Sequence, residues 1–306
     1  NPVFLRPRRF GKSMFCSLLN YYYDLNEAHR FEELFGHTWI GQHPTGNQNR
    51  YMMLYLNFSS IEVSATLQQI EVNFRNTCNS LLRSLVRQYA PRFDKLPELD
   101  LTASVSSNLS SLLYFIQSYQ LPPLYVIIDE YDNFANHLIT TNRDHLYRAL
   151  TADDSFFKTF FKVLKEGRER QAIANVYITG VLPITIDDLA SAFNVATFLT
   201  LDPEFEALAG FTQTEVDQLV DAVYSDYELD PATRPEINAV IKNHYNGYHF
   251  VAPEGTALYN STSLMYFLHA LTRFKRPPEF LTDLNLRTDL QWVRRLTGSN
   301  PTQTET

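Results

Sequence analysis

Arg6-Pro7-Arg8-Arg9-Phe10-Gly11-Lys12-Ser13 is the stretch on which the reading of this chain turns. The short apolar run Val3-Phe4-Leu5 enters it, and a helix-capable run from Met14 to Tyr23 leaves it. That strand–loop–helix setting is what gives a Gly-Lys-Ser triplet meaning. Backbone N–H groups of such a loop, with the helix N-terminus behind them, make an anion site for a di- or triphosphate. Lys12 then reaches the β- and γ-phosphates and the Ser13 hydroxyl sits on Mg²⁺, while Arg8, Arg9, Phe10, Gly11 and Met14 complete the nucleotide-binding segment. The full pattern asks for glycine where this chain has Arg6. Glycine supplies backbone freedom there; arginine keeps the attraction for phosphate and gives up that freedom. A Gly-Lys-Ser triplet by itself also occurs in surface turns, so a second signal is required.

That signal lies downstream. Leu124-Tyr125-Val126-Ile127-Ile128 is a continuous apolar, β-branched run, the composition of a strand buried on both faces of a parallel sheet. It ends in Asp129-Glu130-Tyr131-Asp132. Carboxylates at the C-terminal edge of a buried strand are costly unless they meet a metal or a reacting group, and open α/β sheets place their ligands at that edge. Asp129 fits the acid that holds Mg²⁺ and Glu130 the base that orients an attacking water. The competing reading is a polar strand end that caps the next helix.

With both motifs in view, the chain resembles the AAA-ATPase-like proteins of bacteria and fungi. The resemblance rests on Phe4 to Ser13, Ile128 to Asp132, Tyr177-Ile178-Thr179-Gly180-Val181, Leu208 to Phe211, Tyr245-Asn246-Gly247-Tyr248-His249-Phe250 and Leu258-Tyr259-Asn260-Ser261, and covers about residues 3–275. In that family arginine at the first loop position is usual, so Arg6 counts for membership. The resemblance implies a P-loop fold, ATP with Mg²⁺, and a γ-phosphate- and water-sensing role for Thr179. It also implies that a PD-(D/E)XK nuclease-like domain often follows the ATPase module. A threonine that merely satisfies its own strand end is the alternative for Thr179.

Length and composition bound these readings. The 306 residues suit one large or two modest domains, and 20% charged with 44% hydrophobic residues is an ordinary globular balance. A net charge of −8 argues against a general nucleic-acid-coating surface. Cys16 and Cys78 have neither metal-ligand spacing nor an obvious partner, so both read as core residues in a reducing, intracellular setting. No run of 18 apolar residues exists, so no membrane span is expected. Sequons at Asn57, Asn108 and Asn260 read as chance matches. The chain opens on Asn1-Pro2 with a three-residue first strand, which reads as a fragment.

Tyr51 to Phe58, Val176 to Thr179 and Val195 to Leu201 read as further strands, and residues 66–89 as a long amphipathic helix broken by Pro91 to Pro97. Leu109 to Tyr119 and the face Phe156, Phe157, Phe160, Phe161, Val163, Leu164 are helical. Five strands alternating with helices predict a three-layer parallel α/β sheet over residues 1–204. Beyond it, Thr212-Gln213-Thr214-Glu215 is a capping box, Pro235 opens a second helix and Ser261 caps a third. Residues 205–297 are therefore expected to form an all-helical lid or adaptor, and 298–306 a disordered tail.

His244 and His249 lack accompanying metal ligands, and Asn246-Gly247 reads instead as a turn that closes a helix. Gly180 to Thr200 contains no Lys or Arg. Ring-forming AAA+ ATPases usually supply an arginine from that segment, so a switch working as monomer or dimer fits better than a ring motor. The expectation is slow Mg²⁺-dependent ATP hydrolysis that drives a switch, with a protein partner or fused nuclease-like domain outside these residues. Two alternatives stand beside it: a nucleotide-binding scaffold that does not turn ATP over, and a regulatory module of a nucleic-acid-processing system.

Overall fold

The computed structural model describes residues 1–92, 97–183, 193–252 and 255–281. The chain divides into two compact units: Asn1–Leu5 with Lys12–Leu199, and Arg6–Gly11 with the chain from Thr200 on.

The first unit is built on five parallel strands, β1 (Pro2–Leu5), β2 (Met52–Asn57), β3 (Leu124–Asp129), β4 (Ile173–Gly180) and β5 (Thr197–Phe198), in the spatial order β2-β3-β4-β1-β5. Parallel neighbours need crossover connections. These are supplied by α1 (Lys12–Tyr23), α2 (Phe31–Phe35), α3 (Trp39–Gln42), α4 (Leu67–Tyr89), α5 (Val105–Ser118), α6 (Asn133–Thr140), α7 (Asp144–Leu150) and α8 (Phe156–Glu169). All six residues of β3 are buried, as its unbroken apolar run requires. Thr66, Ser104 and Ser155 cap α4, α5 and α8, each side chain accepting an N–H of the first turn. Phe58, Phe74, Phe134, Phe157, Phe160 and Phe161 pack edge to face at the centre of the core.

Register brings the polar strand ends together. Asn57 pairs with Asp129, Ile128 with Ile178, and Leu5 with Gly180, so the C-terminal ends of β1 to β4 fall on one edge of the sheet. β4 intervenes between the strand that enters the loop and the strand that carries the carboxylates.

Some expected boundaries move. α5 begins at Val105 because Ser104, not a residue near Leu109, supplies the cap. β5 is only Thr197–Phe198. The break after α4 is described as a 3₁₀ turn over Ala90–Arg92, and residues 93–96 of the expected Pro91–Pro97 breaker lie outside the described residues.

The second unit holds α9 (Gln213–Asp226), α10 (Arg234–Tyr245) and α11 (Ser261–Phe274), packed through Val216, Val220, Ile237, Ile241, Leu264 and Phe267. Thr212 and Glu215 form the expected capping box. The unit is not purely helical, because antiparallel bridges pair Phe211 with Tyr259 and Tyr248 with Leu258. Asn260, rather than Ser261, caps α11: its side chain accepts from Ser263 N at 3.1 Å. The expected tail 298–306, and the part of the expected helical lid or adaptor beyond residue 281, lie outside the described residues. Among the described residues no helix is long and apolar enough to cross a membrane.

Candidate functional site

Lys12 opens α1, and that helix packs against β2 and β3. Its Lys12 side chain is buried, with the residue 4% exposed. Ser13 and Met14 follow it on the exposed first turn. Asp129 closes β3 with no exposed surface. One of its oxygens, Oδ2, accepts the Tyr55 hydroxyl at 3.0 Å; the other, Oδ1, is buried without a hydrogen-bond partner. A buried carboxylate oxygen is costly unless a donor or a cation meets it. Neighbouring groups feel the same cluster. Burial pushes the Cys16 thiol up, the Asp129 charge pushes it further, and Lys12 opposes both. The Tyr55 hydroxyl is raised first by burial and then by Asp129.

Glu130 follows Asp129 in a left-handed conformation, φ 53°. A non-glycine residue held there is strained, a state that tends to survive at functional sites. Behind it, Tyr131 N donates to Thr179 O at 3.2 Å, and the Tyr131 hydroxyl bonds Leu182 O. Asp132 Oδ2 accepts from Val181 N at 3.0 Å, Leu182 N at 2.8 Å and Asn136 Nδ2 at 2.8 Å. A side chain at Gly180 would collide with the Asp132 carboxylate and the Tyr131 ring. The Asp129–Asp132 turn and the end of β4 are therefore tied into one piece. Thr179 itself is fully buried, and its hydroxyl donates to Phe4 O at 2.7 Å.

Residues 6–11 group with the second unit. The Arg6 guanidinium is 1% exposed and donates to Thr200 O at 3.0 Å, Phe205 O at 3.3 Å and Glu206 O at 3.0 Å. It also lies 4.1 Å from the centre of the Phe250 ring. Its charge is thus spent on backbone carbonyls and an aromatic face, not held out for phosphate as the sequence suggests. Arg8 is exposed and Arg9 half-buried. Arg9 and Gly11 both take positive φ, 70° and 91°, with the buried Phe10 between them. Alternation of this kind is what turns successive N–H groups to one side as an anion-binding concavity.

The remaining candidates are quiet. His244 and His249 are exposed, and His249 Nδ1 lies 3.1 Å from Gly255 O. Cys16 and Cys78 are both buried thiols. Arg168 is occupied by Ile173 O and Ala174 O, and Arg170 pairs with Glu166. Among the described residues no group of three His, Cys, Asp or Glu side chains is placed to hold a metal by protein ligands alone. A cleft of about 450 Å³ between α4, α5 and α8, lined by Phe74, Arg75, Ser104 and Phe156, contains none of the site residues.

Residues 1–190 match the AAA-ATPase-like family, described as a predicted AAA-ATPase, and the chain belongs to that family. Membership implies nucleotide binding. The chain is also similar to an uncharacterized protein in the vnfD 5′ region of Azotobacter chroococcum mcd 1, at 26% identity over 291 residues. That match covers 91% of this chain and 48% of the relative, so the chain spans about half of that protein's length. No solved structure matches.

Proposed function

We propose that the chain binds ATP through Arg8 to Met14 and hydrolyses it slowly with Mg²⁺, as a nucleotide-driven switch. The observation that carries this reading is Asp129 Oδ1, a buried carboxylate oxygen without a partner at the sheet edge where β1, β3 and β4 end. The donor set fits a hard cation: Asp129 and the Ser13 hydroxyl would hold Mg²⁺, which would supply charge neutralisation to the phosphates. In the same reading Lys12 draws on those phosphates, and Glu130 orients the water and takes its proton. The left-handed backbone at Glu130, directly after Asp129, and the Tyr131 and Asp132 bonds behind it support this reading. The C-terminal helices would act as a lid or adaptor that passes the nucleotide state to a partner or a fused nuclease-like domain.

One observation favours the non-hydrolysing alternative. The Thr179 hydroxyl proton is committed to Phe4 O, so Thr179 can accept from a water but does not donate to a γ-phosphate while that bond stands. Phosphate release measured beside ATP binding, with and without Mg²⁺, separates the two. Glu130→Gln should cut turnover by about 10²–10⁴-fold while binding holds, and Asp129→Asn should weaken Mg²⁺-dependent binding itself. Wild-type turnover no faster than that of Glu130→Gln leaves the scaffold reading. Binding unaffected by Lys12→Ala ends the nucleotide assignment to this loop.

A further inference from the structure

Three stretches of the second unit, all distant in sequence from the loop, converge on residues 8–10. Asn260 Nδ2 donates to Arg8 O at 3.3 Å. Thr262 donates to Arg9 O twice, from its N–H at 3.2 Å and its hydroxyl at 3.1 Å. Phe10 O receives Gly210 N at 3.1 Å and the Ser261 hydroxyl at 3.3 Å. The Phe10 ring, 1% exposed, is held edge-on by Tyr248 at 4.9 Å and Phe250 at 5.3 Å. Gly210 can come this close only without a side chain: its φ is 101°, and a Cβ would meet Tyr259 O at 3.0 Å and the Phe10 ring at 3.1 Å.

Peptide geometry gives these bonds a direction. There are no cis peptide bonds among the described residues, and in a trans peptide each C=O is antiparallel to the following N–H. Three successive carbonyls drawn toward the start of α11 and Gly210 therefore turn the N–H groups of Arg9, Phe10 and Gly11 to the opposite side. The left-handed backbone at Arg9 is a strained state that persists only when its surroundings impose it, and the two Thr262 bonds lie on its own carbonyl.

We propose that Asn260, Ser261 and Thr262 are positioning residues for the phosphate loop. They touch no nucleotide; they hold the loop carbonyls so that the loop amides are already aimed when the anion arrives. The inference rests on the reading that this loop binds nucleotide phosphate, and it assigns a role to α11 that the loop motif does not contain. Preorganisation of this kind raises affinity by removing an ordering cost, not by adding a contact.

The test uses the full chain, with MgATP and inorganic tripolyphosphate as probes. Thr262→Val keeps the shape and the backbone N–H but removes the hydroxyl donor, while Thr262→Ser keeps the donor. Asn260→Asp keeps the cap of α11 and replaces the amide that reaches Arg8 O. Thr262→Val should weaken both probes about 3- to 10-fold, and the double variant roughly 10- to 100-fold, with Thr262→Ser near wild type. Equal losses for the two probes place the effect at the phosphates. Wild-type affinity in the double variant overturns the proposal, and so does a Thr262→Val loss that Thr262→Ser shares. If Asn260→Asp lowers the helical signal, Thr262→Val alone decides, because that substitution leaves the cap intact. Wild-type protein that binds neither probe refutes the nucleotide reading, and the positioning role falls with it.

Discussion

Replacing Arg6 by glycine restores the residue that the phosphate-loop pattern asks for, and the structure predicts that this damages the protein. Arg6 lies at the start of the loop, yet its guanidinium is buried on three carbonyls, of Thr200, Phe205 and Glu206, and stacks on Phe250. Hydrogen bonds from a charged donor contribute about 1.5–3 kcal/mol each and are not additive; a desolvated cation–π contact adds about 2 kcal/mol. Arg6→Gly removes the charged donor from three partly buried carbonyls and adds backbone freedom to the unfolded chain, at about 0.4–1 kcal/mol. A net loss of roughly 3–5 kcal/mol results, comparable to breaking a buried ion pair. Arg6→Lys keeps the charge but not the fork, and should lose about half as much. Urea unfolding of the full chain followed by circular dichroism, with amide exchange read in α11, measures both. An Arg6→Gly protein as stable as wild type, or one that binds ATP more tightly, would refute the reasoning.

Two further outcomes turn on single positions. Gly247 has φ 113° with open space around it, so Gly247→Val is strained by its backbone alone and should destabilise the second unit by roughly 1–3 kcal/mol; a melting curve that overlays wild type contradicts this. Burial raises the Cys78 thiol well above its ordinary value, so the unfolded chain releases that proton first. Its contribution is complete below the unfolded value of about 8.5 and declines as pH rises past it. Cys78→Ala should therefore flatten the fall in urea midpoint between about pH 8.5 and 10, and an unchanged slope counts against it.

The sheet is legible in the sequence for a physical reason. Strands buried on both faces must be continuous apolar runs, so Leu124 to Ile128 and Tyr51 to Phe58 stand out without their partners. The paired signals at Gly11-Lys12-Ser13 and Asp129-Glu130 are legible because each ends an element whose boundary chemistry is local. Strand order is not, since nothing in β4 states that it lies between β1 and β3. The short helices α2, α3, α6 and α7 escape the sequence pattern: at 5, 4, 8 and 7 residues they are too brief for a helical period to register. Ser261 reads as a cap because serine commonly is one. Asn260 takes that place and leaves the serine hydroxyl for Phe10 O.

Arg6 is the instructive failure. Its charge is plain from the sequence and points to phosphate, but a side chain's direction is decided by acceptors far away in the chain, here Thr200 to Glu206. The same logic runs through the loop. Its N-terminal anchor is Arg6, its carbonyls are held by Asn260 to Thr262, and its one large ring is clasped by Tyr248 and Phe250. A short loop can hold a left-handed Arg9 only if something outside that residue bears the strain. In this chain the groups that bear it sit in the second unit. By reciprocity, a ligand that favours the held form of the loop must favour the bonded form of the start of α11 by the same factor. In the proposed function, this is the path by which the nucleotide state would bear on the start of α11.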